Sequence, residues 1–399
     1  MSEFFQACYA HPDTGWAVIN TSADIPDKLA EDFSLVERSN AGMASAKAVQ
    51  MGESENPTCM FEVYSKNDAV GVVRTQFGLS DGQGRPISFS HGYIFPDAYE
   101  ALKNPQQLLG VSNDCFASGR IDEATKAEIR STPGALNNEL IRLSSPDMIP
   151  EELSLSETYS INSALEICGM NAESYKNYML VVYAHILLAK SENNLYIKTD
   201  GSEKYARNLL YLTYMGIPYS MRTLISASTY LREGQHNSKL IFCYEVPDGV
   251  PHIEPKTGEN NVVNDVVKKR TEERNPFIGH IVDKVIKGNP DEFYRESLEM
   301  ALTYTGNVRL NSAQAINTVY SLLHKDFENA DKVQGLLYGW LSLPVQNTSE
   351  WEKIALGCIQ HAEKFGVKFG DEVKEVLSTK SEGAVTDDFK IALKRVLNS

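Results

Sequence analysis

The sequence predicts an α+β protein with a β-rich N-terminal domain, a small α/β middle domain and an all-helical C-terminal domain. Three observations predict it. Residues 1 to about 145 carry short β-branched and aromatic runs divided by turn residues. Residues from about 158 to 251 alternate helical with extended patterns. Beyond Ile278 the apolar residues recur at helical spacing, with Gly or Pro at the ends. The domains are expected at 1–148, 149–255 and 278–399, with a linker over 256–277. At 399 residues the chain exceeds the roughly 250–300 residues at which single cores stop growing.

The elements follow in order. "CYAHPDTGWAVIN" holds two apolar runs around a Pro-Asp-Thr-Gly turn and predicts a hairpin. "CMFEVYS" and "GVVRTQF" predict a second hairpin, and "PISFSHGYIF" continues the meander. Asp97 stands at a helix N-cap position before "AYEALKNPQQLLG". "IDEATKAEIRS" predicts a short helix, and the Pro-rich acidic stretch at 144–157 a connection. "SYKNYMLVVYAHILLAK" predicts a buried helix. "NLYIKT", "MRTLISAST" and "KLIFCYEV" predict strands, and "DGSEKYARNLLYLTYMG" a helix opened by Ser202. Helix, strand, helix, strand implies at least one parallel pair. Residues 252–275 are polar and charged and read as a linker or surface excursion.

Charge and cysteine usage exclude several classes. A net charge of -15 argues against a general nucleic-acid binder, which needs a clustered basic surface. The six cysteines lack CxxC or zinc-type spacing, so buried free thiols are expected. No metal and no cofactor is expected. The opening "MSEFFQACYA" has no signal-peptide pattern. The longest apolar stretch, 177–190, falls short of the roughly 18 residues a membrane helix needs. A cytoplasmic protein without a membrane partner is expected.

One stretch carries candidate chemistry. In "SDGQGRPISFSHGYIF" Gly82 and Gly84 permit a tight turn, Asp81 can bond its own turn backbone, and Pro86 can begin a strand. His91, Tyr93 and Phe89 share strand parity and point to one face. If that face is buried, His91 is a core histidine. If it is open, Arg85 can grip a phosphate or carboxylate and His91 can act as a base, with Asp81 as an acid nearby. Cys115 is the nearest thiol for a Cys/His pair. "DGSEK" has one glycine and adds Asp200, so it lacks a phosphate-binding loop.

Three segments, "FFQACYAHPDTGWAVINTSADIP", "QFGLSDGQGRPISFSHGYIF" and "GIPYSMRTLISASTY", carry a likeness. Together they resemble the GTPase-associated protein 1 family of bacterial conflict systems. The chain departs from the family pattern at Ile217 and Ala227. The resemblance implies a β-rich N-terminal module, a middle module and a GTPase partner. It carries no catalytic residues over. By matching position it singles out Gln6, Tyr9, Trp16, Arg222 and Tyr230 as partner or ligand contacts, and it also falls on Asp81, Arg85 and His91, the candidates for catalysis. For Arg222, placed near the start of a strand, a buried cap or salt bridge is the competing role.

Two functions follow as expectations. The first is a non-enzymatic scaffold or sensor in an antiviral defence assembly, binding a partner GTPase or other NTPase. The second is a hydrolase or transferase acting on a phosphorylated small molecule or nucleotide through Arg85 and His91. A module that senses a capsid or nucleotide without turnover is a third. Geometry separates them: the enzyme needs Asp81, Arg85 and His91 in one open pocket, the scaffold a closed core.

Overall fold

A computed structural model describes residues 3–10, 17–48, 59–80, 86–117, 155, 158–188, 194–200, 202–229, 238–244, 246 and 248–288, and scattered residues over 352–398. The chain divides into two compact units, Met1–Thr271 and Glu272–Ser399.

Among its described residues the first unit has ten strands in one sheet, ordered β10-β9-β6-β8-β7-β3-β4-β5-β1-β2. The mixed α and β content agrees with the α+β expectation. β1 (Phe5–Ala10) and β2 (Ala17–Thr21) form the first antiparallel pair. β3 (Cys59–Lys66) turns directly into β4 (Ala69–Ser80). The two turn residues, Asn67 and Asp68, have φ of 49° and 65°. Positive φ at both is the signature of a hairpin turn whose twist matches its strands. Asp32 fixes this turn by accepting both contacts of Asn67 Nδ2, at 2.8 and 3.0 Å. β5 (Pro86–Phe95) opens on Pro86, as its missing N–H allows, and runs between β4 and β1.

The other half of the sheet is partly parallel. β6 (Leu195–Lys198) lies parallel to β8 (Leu240–Cys243), and β7 (Ala227–Thr229) parallel to β8. β9 (His252–Glu254) adds a further parallel neighbour to β6, and the two-residue β10 (Glu259–Asn260) pairs with β9. The sheet thus continues past Pro251, into a stretch that reads from sequence as linker. The halves join where Glu62 and Val63 of β3 meet Ser228 and Ala227 of β7.

Each face has its own cover. The first helix, α1 (Asp27–Ala48), packs over β1 to β5. Leu29, Ala30, Phe33 and Val36 form its apolar stripe, against Phe5, Ala7, Tyr9, Val73 and Ile94. Gly92 lets Phe33 approach, since a Cβ there would sit 2.6 Å from the Phe33 ring. The reverse face meets α2 (Ala98–Lys103), α3 (Gln106–Leu109) and α6 (Glu203–Met215). Asp97 caps α2 by accepting from the Glu100 N–H at 3.1 Å, and Ser202 caps α6. Between these come α4 (Ile161–Ile167) and α5 (Ala172–Val182), the latter buried along most of its length and running into a π turn at Tyr183–Leu187.

"MRTLISAST" departs from its predicted strand. Tyr219–Arg222 is one helical turn, α7, and only Ala227–Thr229 is extended. Pro218 fixes φ at -54° and its carbonyl accepts from Met221 N–H, which starts the turn. Arg222 therefore ends a helical turn and does not begin a strand.

In the second unit the described elements are helical: α9 (Phe277–Ile286), α10 (Asp371–Lys380) and α11 (Asp387–Leu397). Before α9, α8 (Asp265–Arg274) runs across the boundary between the units. Glu352 supplies the cap of α11 by accepting from Thr386 N–H at 2.7 Å. Among the described residues no helix is long and apolar enough to cross a membrane.

Candidate functional site

His91 is the candidate on which the enzymatic expectation depends. Strand parity puts Phe89, His91, Tyr93 and Phe95 on one face of β5, as the alternation predicts. That face is closed, and His91 is 0% exposed. Its register partner on β1 is Cys8, and Gln6 lies two residues along on the same face. Gln6 Oε1 stands 3.1 Å from His91 Nε2, and the Ala117 N–H donates to His91 Nδ1 at 2.8 Å. A nitrogen that accepts carries no proton, so the bonds assign the proton to Nε2, which donates to Gln6.

Rings fill the remaining space. Tyr93 lies 5.0 Å and Phe116 5.7 Å from the imidazole, centre to centre. Tyr93 Oη donates to the Cys115 carbonyl at 2.6 Å. Burial alone lowers the His91 pKa to about 3, so the ring is neutral across the physiological range. A general base needs a free nitrogen aimed at a substrate proton. Both His91 nitrogens are occupied by the protein itself, so the ring does not serve Cys115 as a base either.

The other singled-out residues do not gather here. Gln6 is the one that meets His91. Tyr9 points to the opposite face, into the α1 core. Arg222 is fully buried elsewhere on the reverse side. Its Nη1 donates to the Leu102 carbonyl at 2.6 Å and the Lys103 carbonyl at 3.3 Å, and its Nε to Ile217 O at 3.0 Å. Leu102 and Lys103 end α2, where helical carbonyls lack partners. Arg222 therefore caps a helix C-terminus with a favourable positive charge. Asp81, Arg85, Trp16 and Tyr230 lie outside the described residues.

Two groups escaped the sequence reading. Arg207 of α6 donates to the Leu109 carbonyl at 2.6 Å, the Val111 carbonyl at 2.9 Å and Asn113 Oδ1 at 3.1 Å. It also pairs with Glu203 at 2.6 Å and covers the Phe61 ring at 4.2 Å. Arg207 and Arg222 thus hold the strap 98–117 from one side. The same strap gives His91 its Ala117 bond and Tyr93 its Cys115 bond. No local signal marks Arg207, whose strap partners are more than ninety residues away in sequence. Glu37 is the second. It belongs to α1 and is fully buried, and the signal for it was an acid adjoining the stripe Leu29, Ala30, Phe33, Val36.

The contacts of His91, Arg207 and Arg222 described above are made within the chain and serve its cohesion. The five described cysteines are free, and burial raises the Cys8 thiol far above its ordinary range. Among the described residues no group of three His, Cys, Asp or Glu is placed to hold a metal ion. No family model matches this chain and no curated protein matches it, so its candidate site stands on geometry alone.

Proposed function

We propose that this chain is a non-enzymatic scaffold or sensor that binds a partner NTPase within a multi-protein assembly. One observation carries the preference over turnover: both nitrogens of His91 are used inside a closed aromatic core. The hydrolase or transferase reading needs that ring as its base, and it loses its proton acceptor. The GTPase partner and the setting in antiviral defence come from the resemblance of the three quoted segments to the GTPase-associated protein 1 family.

The test is an affinity pull-down of the full chain from its native host, with GTP or GDP added, read by mass spectrometry. A GTPase recovered in a nucleotide-dependent way supports the scaffold. A protein that comes down alone removes the obligate partner. Metabolite turnover that survives in wild type and is lost in His91→Gln would overturn the non-enzymatic reading.

A further inference from the structure

Glu37 occupies an unusual place. It extends the sheet-facing stripe of α1 and is 0% exposed. Beneath it, Tyr9 of β1, Ser90 of β5 and Thr75 of β4 are register neighbours across three strands. The Thr75 and Ser90 hydroxyls bond each other at 2.8 Å and lie beside the carboxyl. Neither carboxyl oxygen makes a hydrogen bond of ordinary geometry among the described residues.

The titratable groups around it are acids or phenols. Tyr64 of β3 is the phenol beside it, and Glu62 of β3 and Asp32 of α1 are further acids near Tyr64. The Tyr9 phenol of β1 lies in the same α1-side core as Tyr64. Lys66, at the β3–β4 turn, is already paired with Asp32 at 3.7 Å. Among the side chains described, no cation compensates a charge on Glu37. An isolated carboxylate in such surroundings is strongly disfavoured and takes up a proton instead.

We infer that α1 seats on the sheet with Glu37 as a neutral carboxylic acid, so that seating of the helix and protonation of Glu37 favour each other. In the seated form the carboxyl O–H is positioned to donate to the Ser90 or Thr75 oxygen. When the helix lifts, the O–H bond breaks, the proton goes to water and the carboxylate is hydrated. The latch is independent of the proposed scaffold role.

Burial pushes the Glu37 carboxyl up from 4.5 to about 7, with the two hydroxyls offsetting part of the rise. The sign follows from linkage. The lifted form binds fewer protons between those values, so seating weakens as pH rises through that window and levels off above about 7. Opening of α1 should be roughly tenfold more frequent at pH 8.5 than at pH 6.

Hydrogen exchange of the full chain tests this, read on peptides covering 27–48 and corrected for intrinsic rates. Wild type should lose about tenfold in protection of α1 between pH 6 and pH 8.5. Glu37→Gln and Glu37→Met should show no such change. Equal wild-type protection at the two pH values, or a tenfold change that persists in a folded variant, overturns the latch. If neither variant folds, the wild-type infrared spectrum decides. A buried carboxylic-acid C=O band at pH 6 that bleaches at pH 8.5 supports the latch, and its absence at pH 6 overturns it.

Discussion

Ser90 and His91 are neighbours on β5, yet they belong to different interiors. His91 faces the strap, with each nitrogen bonded and rings on the remaining sides. Ser90 faces α1, beside a carboxyl that has only the Ser90 and Thr75 hydroxyls near it and makes no hydrogen bond of ordinary geometry among the described residues. His91 is neutral at pH 7 and Glu37 is neutral below it, for opposite reasons. His91 is held neutral as a base that refuses a proton, Glu37 as an acid that keeps one. The difference teaches what burial does to function. A saturated polar group fixes one geometry, while an unsatisfied one stays responsive to its surroundings.

The largest test removes the saturated side. His91→Leu removes one hydrogen bond of the Gln6 carboxamide and the acceptor of the Ala117 N–H, and should cost about 3 kcal/mol of unfolding free energy in urea at pH 7.5. A loss near zero would mean that the strap does not depend on the ring.

The next test exposes the two groups against each other. The folded pKa of His91 is depressed to about 3, so its contribution is complete above 6.5 and is lost as pH falls below that. Glu37 acts in the reverse sense between 4.5 and about 7. Glu37→Gln should therefore lose about 2 kcal/mol between pH 7.5 and pH 5. Wild type should change less over the same range, because the two linkages oppose. Parallel curves would contradict the assignment.

Crowding on the α1 side gives a smaller effect. Gly92→Ala would place its Cβ 2.6 Å from Phe33, and should destabilise by about 1.5 kcal/mol while loosening α1 in hydrogen exchange. The strap amides should keep their protection. The smallest effect is at the β3–β4 turn. Asn67→Ala loses two contacts to Asp32 and strains a φ of 49°, for about 1 kcal/mol in thermal or urea unfolding.

Local chemistry was legible in the sequence. The Asp97 and Ser202 caps, the strand start at Pro86 and the shared face of His91 and Tyr93 all follow from neighbours a few residues apart. The long-range partners were not. Gln6 and His91 are 85 positions apart, and Ala117 is a further 26 beyond. α1 itself went unread, since an acid adjoins its stripe and Ser, Asn and Gly follow at 39–42. Arg222 misled because a Pro-initiated turn and a strand share the same apolar residues over 219–227.

The seam between β3 and β7 has a consequence for synthesis. Val63 waits for Ala227, a gap of 227 − 63 = 164 residues. Ribosomes add roughly 5–20 residues per second, so β3 stands as an unpaired edge for on the order of ten seconds. Its middle, Met60 to Tyr64, carries Met, Phe, Val and Tyr around a single acid. Such an edge is a template for pairing with another nascent chain. The acid, Glu62, sits at the very residue that β7 later covers. Glu62 ends buried, but while β7 is still missing a solvated carboxylate there deters pairing of this apolar edge between ribosomes on one message.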